Sequence, residues 1–111
     1  MENAVDKAAH QGDVYIKACL LPGNLEEKTF ENGKTILAYG EVTGHTHRFE
    51  TNNVKMFIAK DGSGKTYIMI TGEPAVLKHE EHEEIKFLPG SYEVFIARQW
   101  TDAEEPIAVM D

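Results

Sequence analysis

Apolar residues along this chain fall in short runs, and turn-forming residues interrupt them every few positions. The run "DVYIKACLL" stops at Pro22-Gly23-Asn24. "KTILAYGEV" leads into the segment "TGHTHRFE". "VKMFIA" and "TYIMI" flank "KDGSGK", as two arms flank a hairpin loop. "GEPAVLKH", "EIKFL" and "YEVFIARQW" follow, with "PIAVMD" as a candidate last strand. Frequent turns between short, β-branched and aromatic runs predict an all-β domain of roughly eight or nine strands. A sandwich or small barrel absorbs that number. "LEEKTFENG" reads as a helical turn or loop, with Asn32-Gly33 as a tight turn. Nowhere does a helical period run far enough to make a major helix.

The polar, alanine-rich residues 1–12 carry no strand pattern and are expected to form a flexible N-terminal segment, leaving 13–111 as a single β domain. A chain of 111 residues buries enough of its surface to fold as one domain without staples. Its net charge of −8 opposes binding to phosphate backbones, so no nucleic-acid partner is expected. Cys19 is the only cysteine, which excludes an intrachain disulfide, and its apolar neighbours suggest a buried, inert thiol. No basic-then-apolar leader opens the chain and no run is long enough to cross a bilayer, so a cytoplasmic protein with no membrane partner is expected. "AKDGSGKTY" imitates a phosphate-binding loop, but Ala59 stands at the first glycine position and Thr66 leads into β-prone residues rather than a helix.

Chemistry concentrates in the histidines. Four of the five form two close pairs, His45-Thr46-His47 and His79-Glu80-Glu81-His82. Side chains two apart on a strand share a face, so His45 and His47 project together, in phase with Leu37, Tyr39 and Phe49. His79 is in phase with Ala75 and Leu77, while His82 lies beyond two glutamates in a turn. Neutral imidazoles so paired are expected to hold one divalent transition metal ion (Zn, Fe, Ni or Mn) through His45, His47, His79 and His82. With one cysteine, a thiolate-rich structural zinc site is excluded. Glu50 is opposite in phase to His47 and Glu41 lies farther along, so neither is a leading ligand. The competing reading makes these residues surface imidazoles in a solvated, charged loop. Arg48 reads as a solvent-facing or anion-binding side chain beside His47. Tyr39 and Tyr92 read as core edges, and Trp100, after Arg98 and Gln99, as core or rim packing. Ser63 and Ser91 read as turn residues, since no nucleophile elbow surrounds them.

"GEVTGHTHRFE" resembles the first cupin motif, in which Gly, His-x-His and Glu ligate a metal inside a small barrel. Gly40 to His45 and His47 to Glu50 are each one residue shorter than that motif, and Pro89-Gly90 is followed by no histidine where the second motif would place one. The resemblance implies a cupin-like, jelly-roll fold. "QGDVYI", "HEEHEEIKFLPGSYEV", "RQW" and "VMD" are similar to a group of small uncharacterised bacterial and phage proteins, which implies a shared site but no reaction. Two function classes follow. In one, a metal-binding β-barrel acts on a small polar substrate through water or dioxygen activation. In the other, a non-enzymatic assembly module such as an accessory phage protein pairs with itself or a partner through a sheet edge, its histidines structural or superficial.

Overall fold

The structure is a computed structural model that describes residues 4–30, 33–39 and 44–97. Ten strands run in chain order: β1 (Ala8–Gln11), β2 (Val14–Ala18), β3 (Leu25–Lys28), β4 (Thr35–Tyr39), β5 (Thr46–Phe49), β6 (Val54–Ala59), β7 (Thr66–Ile70), β8 (Ala75–Lys78), β9 (Ile85–Phe87) and β10 (Gly90–Ile96). They form two antiparallel sheets, one ordered β1-β2-β10-β7-β6-β3 and the other β4-β5-β8-β9. The all-β class is as the turn spacing predicts. The closed barrel is not found, because among the described residues each sheet keeps two free edges and no sheet closes. No helix of the described residues is long and apolar enough to cross a membrane.

Alternation builds a single core between the sheets. Val14, Ile16, Val54, Met56, Ile68, Ile70, Tyr92 and Val94 from the larger sheet meet Leu37, Ala38, Phe49, Ala75, Leu77 and Phe87 from the smaller. Phe87 sits at the seam, fully buried, its ring 6.2 Å from Phe49 and 5.5 Å from Tyr92. Tyr92 donates its hydroxyl to Leu88 O at 2.6 Å. Val5 bridges β9 as well, with hydrogen bonds to Lys86 O and from Leu88 N.

Several expectations change. Residues 8–11, placed in a flexible segment, are instead strand β1, registered against β2 from Ala8↔Lys17 to Gln11↔Val14. The pattern missed it because a short edge strand needs only one apolar face, and alanines supply little signal. "LEEK" is likewise a strand, not a helical turn. It lies at a sheet edge, where exposed Glu26, Glu27 and Lys28 discourage pairing with another chain. A register shift between Ile36 and Ala38 puts both Leu37 and Ala38 in the core and turns Tyr39 outward, 65% exposed. That bulge is what breaks the phase expected between Tyr39 and the histidines.

The glycine-rich "KDGSGK" is a hairpin loop between β6 and β7, with positive φ at Gly62 and Gly64 and Ser63 N bonded to Asp61. Ser91 also has a structural bond, donating to Cys19 O at 2.6 Å. Cys19 is half-buried rather than buried, and burial, with Glu93 beside it, pushes its thiol pKa up, consistent with an inert group. Arg98, Gln99, Trp100 and the segment "PIAVMD", expected as a last strand, lie outside the described residues, as do Glu41 and Asn32.

Replacing Phe87 with alanine should lower stability by about 3–5 kcal/mol, the usual cost of truncating a buried aromatic ring. Urea unfolding of the variant beside wild type measures this, and a loss below about 1 kcal/mol would mean that the two sheets do not share the core described.

Candidate metal centre

Three segments deliver the histidines to one end of the core. His47 lies on β5, where Thr46 and Arg48 face outward and His47 and Phe49 face in; it is only 2% exposed. His45 precedes β5 and is half-buried. His79 follows β8 directly, and His82 sits in the loop to β9, exposed to solvent. The turn between β1 and β2 closes the site from the other sheet.

The four rings form a continuous cluster with His79 at its centre. Ring centroids lie 4.3 Å apart for His47–His79, 4.6 Å for His79–His82, 5.6 Å for His45–His79 and 5.8 Å for His47–His82. All four sequence-predicted residues are therefore neighbours. His10 is not among them. It points to the opposite side of β1, stacked on Tyr15, with Nδ1 3.1 Å from Gly12 O.

Potential ligand atoms converge most closely at His45, His79 and Glu80, all within 4.8 Å of one another. The Nδ1 atom of His45 is buried and has no hydrogen-bond partner among the described residues. Glu81 Oε2 lies 3.7 Å from it, beyond ordinary hydrogen-bond length. Glu80 was not singled out by sequence reasoning. The signal available was its place directly after His79, which gives it the reach to turn back toward β5. Its carboxylate accepts Thr46 N at 3.1 Å and Arg48 Nη1 at 3.0 Å. The Thr46 amide foremost, then the nearby Arg48 guanidinium, hold its carboxyl below the ordinary range.

Arg48, on the outward side of β5, is occupied by carboxylates of its own chain. It donates Nε to Glu50 at 2.8 Å and Nη1 to Glu80 and Thr46 O, binding β5 to the histidine loop. Glu50, paired with Arg48 and 3.6 Å from Lys78, is on the outward side, as its phase predicts.

Hydrogen bonds decide which ring nitrogens carry protons. Glu81 N donates to Nδ1 of His79 at 3.0 Å, so neutral His79 carries its hydrogen on Nε2. Nδ1 of His47 lies 2.9 Å from Gln11 Oε1, and Nε2 lies 3.9 Å from Asp13 Oδ1. Gly12 supplies the close approach between them. It has φ of +59°, and a Cβ there would stand 2.8 Å from His82 Nε2 and 3.3 Å from His47 Cε1. Glycine at the first position of a two-residue turn suits a primed hairpin, and here it also clears space for two imidazoles.

Burial first, then repulsion from His82 and His45, lowers the His79 pKa from 6.5, while Glu80 and Glu81 act in the opposite sense. His79, held neutral in this way, keeps a lone pair for ligation.

A family model described as a domain of unknown function (DUF8820) matches residues 10–97. No curated protein and no solved structure matches the chain.

Two measurements check this geometry. Gly12→Ala should destabilise the fold by about 1 kcal/mol or more, since alanine resists positive φ, and should shift the His82 and His47 ring resonances. Unchanged ring shifts would place His82 away from the turn. Because the unfolded chain binds a proton more tightly than native His79, the His79 contribution to stability is fully present above about pH 6.5. It is lost as pH falls through the lowered native value. Urea midpoints in the presence of a chelator should therefore drop on acidification more in wild type than in His79→Gln, and equal drops would contradict the direction of the shift.

Proposed function

The chain belongs to the DUF8820 family, for which no function is assigned, and we propose that it is a small β-domain protein that binds a divalent transition metal ion through its histidine cluster. The observation that carries this reading is the convergence of His45, His79 and Glu80, beside which Nδ1 of His45 is buried with no hydrogen-bond partner among the described residues. A buried ring nitrogen without a partner is costly, and an ion ligated there offsets that cost. His47 and His82 pack their rings near His79 outside that group and are the remaining members of the proposed ligand pool. Imidazole with carboxylate suits zinc, iron, nickel or manganese. Bound there, the ion would supply Lewis acidity to a water or to a small polar ligand.

His79 sets a condition on this reading. Its Nδ1 accepts the Glu81 amide, so ligation at Nδ1 displaces that amide, and ligation at Nε2 requires the ring proton to move. Either route disturbs the Glu81 N–H. Two carboxylate-rich stretches, Glu80-Glu81 and Glu83-Glu84, flank His82 and favour entry of a cation over an anion.

The untagged protein should carry near-stoichiometric metal by mass spectrometry, or take up added zinc, cobalt or nickel in calorimetry. His45→Ala and His79→Ala should each reduce that binding about tenfold or more, and the Glu81 amide resonance should move on loading. Affinity should fall on acidification, because a protonated imidazole cannot ligate. A wild-type protein that arrives without metal and ignores all added divalent ions ends this reading.

A further inference from the structure

Among the described residues, Gln11 is the one amide side chain buried against the cluster, 2% exposed at the last position of β1. Its Nε2 donates to two backbone carbonyls, Leu77 O at 3.0 Å on β8 and Glu83 O at 2.8 Å in the histidine loop. Two acceptors demand the NH2 end of the amide, because an amide oxygen cannot donate. The amide therefore cannot be flipped, and Oε1 must be the atom facing His47 Nδ1 at 2.9 Å. An acceptor there forces neutral His47 to carry its hydrogen on Nδ1. The lone pair is left on Nε2, the nitrogen on the Asp13 side.

We propose that Gln11 is a positioning residue that locks His47 in the Nδ1–H form and so makes Nε2 its ligating atom. The inference rests on the metal reading for its consequence, but its first half, the ring's proton position, is independent of any metal. Outer groups that fix a ligand histidine's tautomer and ring angle commonly change metal affinity by about ten- to hundredfold. Gln11 differs from an ordinary partner in that the same amide fastens to β8 and the loop between His79 and β9. It sets the ring of one ligand by reference to the backbone that carries two others.

The test is long-range ¹H–¹⁵N correlation of the imidazole rings in metal-free, full-length protein at pH 8, with zinc titrations alongside. Wild-type His47 should show the Nδ1–H pattern, and zinc should move its Nε2 resonance. Gln11→Met removes the acceptor and should shift His47 toward the commoner Nε2–H form, with zinc affinity reduced about ten- to hundredfold. Gln11→Glu keeps an acceptor at Nδ1 while losing the two backbone bonds, so it should lower stability yet retain the wild-type ring pattern. That split separates positioning from a merely structural role. An Nε2–H or doubly protonated His47 in wild type overturns the inference without need of any variant. Unchanged tautomer and affinity in a folded Gln11→Met protein also overturn it, as does zinc coordination at Nδ1. A wild type that binds no zinc defeats the metal reading of the preceding section, while the ring patterns still decide whether Gln11 fixes His47.

Discussion

One buried amide ties the molecule's chemistry to its architecture. Gln11 leaves β1 at the edge of the larger sheet and reaches across the end of the core to Leu77, Glu83 and His47, all of which belong to the smaller sheet or its loop. Every polar atom of its side chain is satisfied. A buried amide left with a missing partner costs about 1–3 kcal/mol, so the three bonds form together or the arrangement is lost. The core packs the two sheets through non-directional contacts that tolerate small sliding motions. The Gln11 bonds are directional, and they fix how the end of one sheet meets the other.

The surroundings of the cluster are as informative as its rings. Four imidazoles linked through His79 repel once protonated, and burial adds to that penalty at His79. Carboxylates answer from several directions: Glu81 near His45, Asp13 near His47, and Glu80 clasped by the Thr46 amide and Arg48. Arg48 compensates Glu80 on its outward side and keeps the loop against β5. The result is a half-enclosed, basic-nitrogen interior with an acidic rim, on a protein that is itself strongly acidic.

Much of this was legible because it depends on local periodicity. The inward phase of His47 with Phe49, the strand ending at His79, the turn around His82 and the hairpin at "KDGSGK" all follow from alternation and turn chemistry. The edge strands β1 and β3 were illegible because one carries alanines and the other charges, and neither shows an apolar stripe. Tyr39 was misplaced by a bulge, since one extra residue reverses every later assignment on that strand. Gln11 and Gly12 could not be assigned to the site from sequence, because their roles depend on contacts with residues far along the chain, for which local pattern holds no trace; Glu80 had only its place beside His79 to mark it. The family match names no activity and leaves the chemistry to be argued from these contacts.

The position of β1 has one further consequence. It is an edge strand of four residues, bonded to β2 on one side only in the sheet order. Edge strands open locally far more often than central ones, at a free energy below that of global unfolding. The histidines on β5 and β8 are anchored beside the core, whereas the residue that orients His47 and the glycine that walls His82 ride on this less secure margin. Fraying of β1 would expose His47 and free its ring while the rest of the domain stays folded. Loss of β1 alone would thus release the restraint on the His47 ring while β5, which carries it, keeps its pairing with β4 and β8.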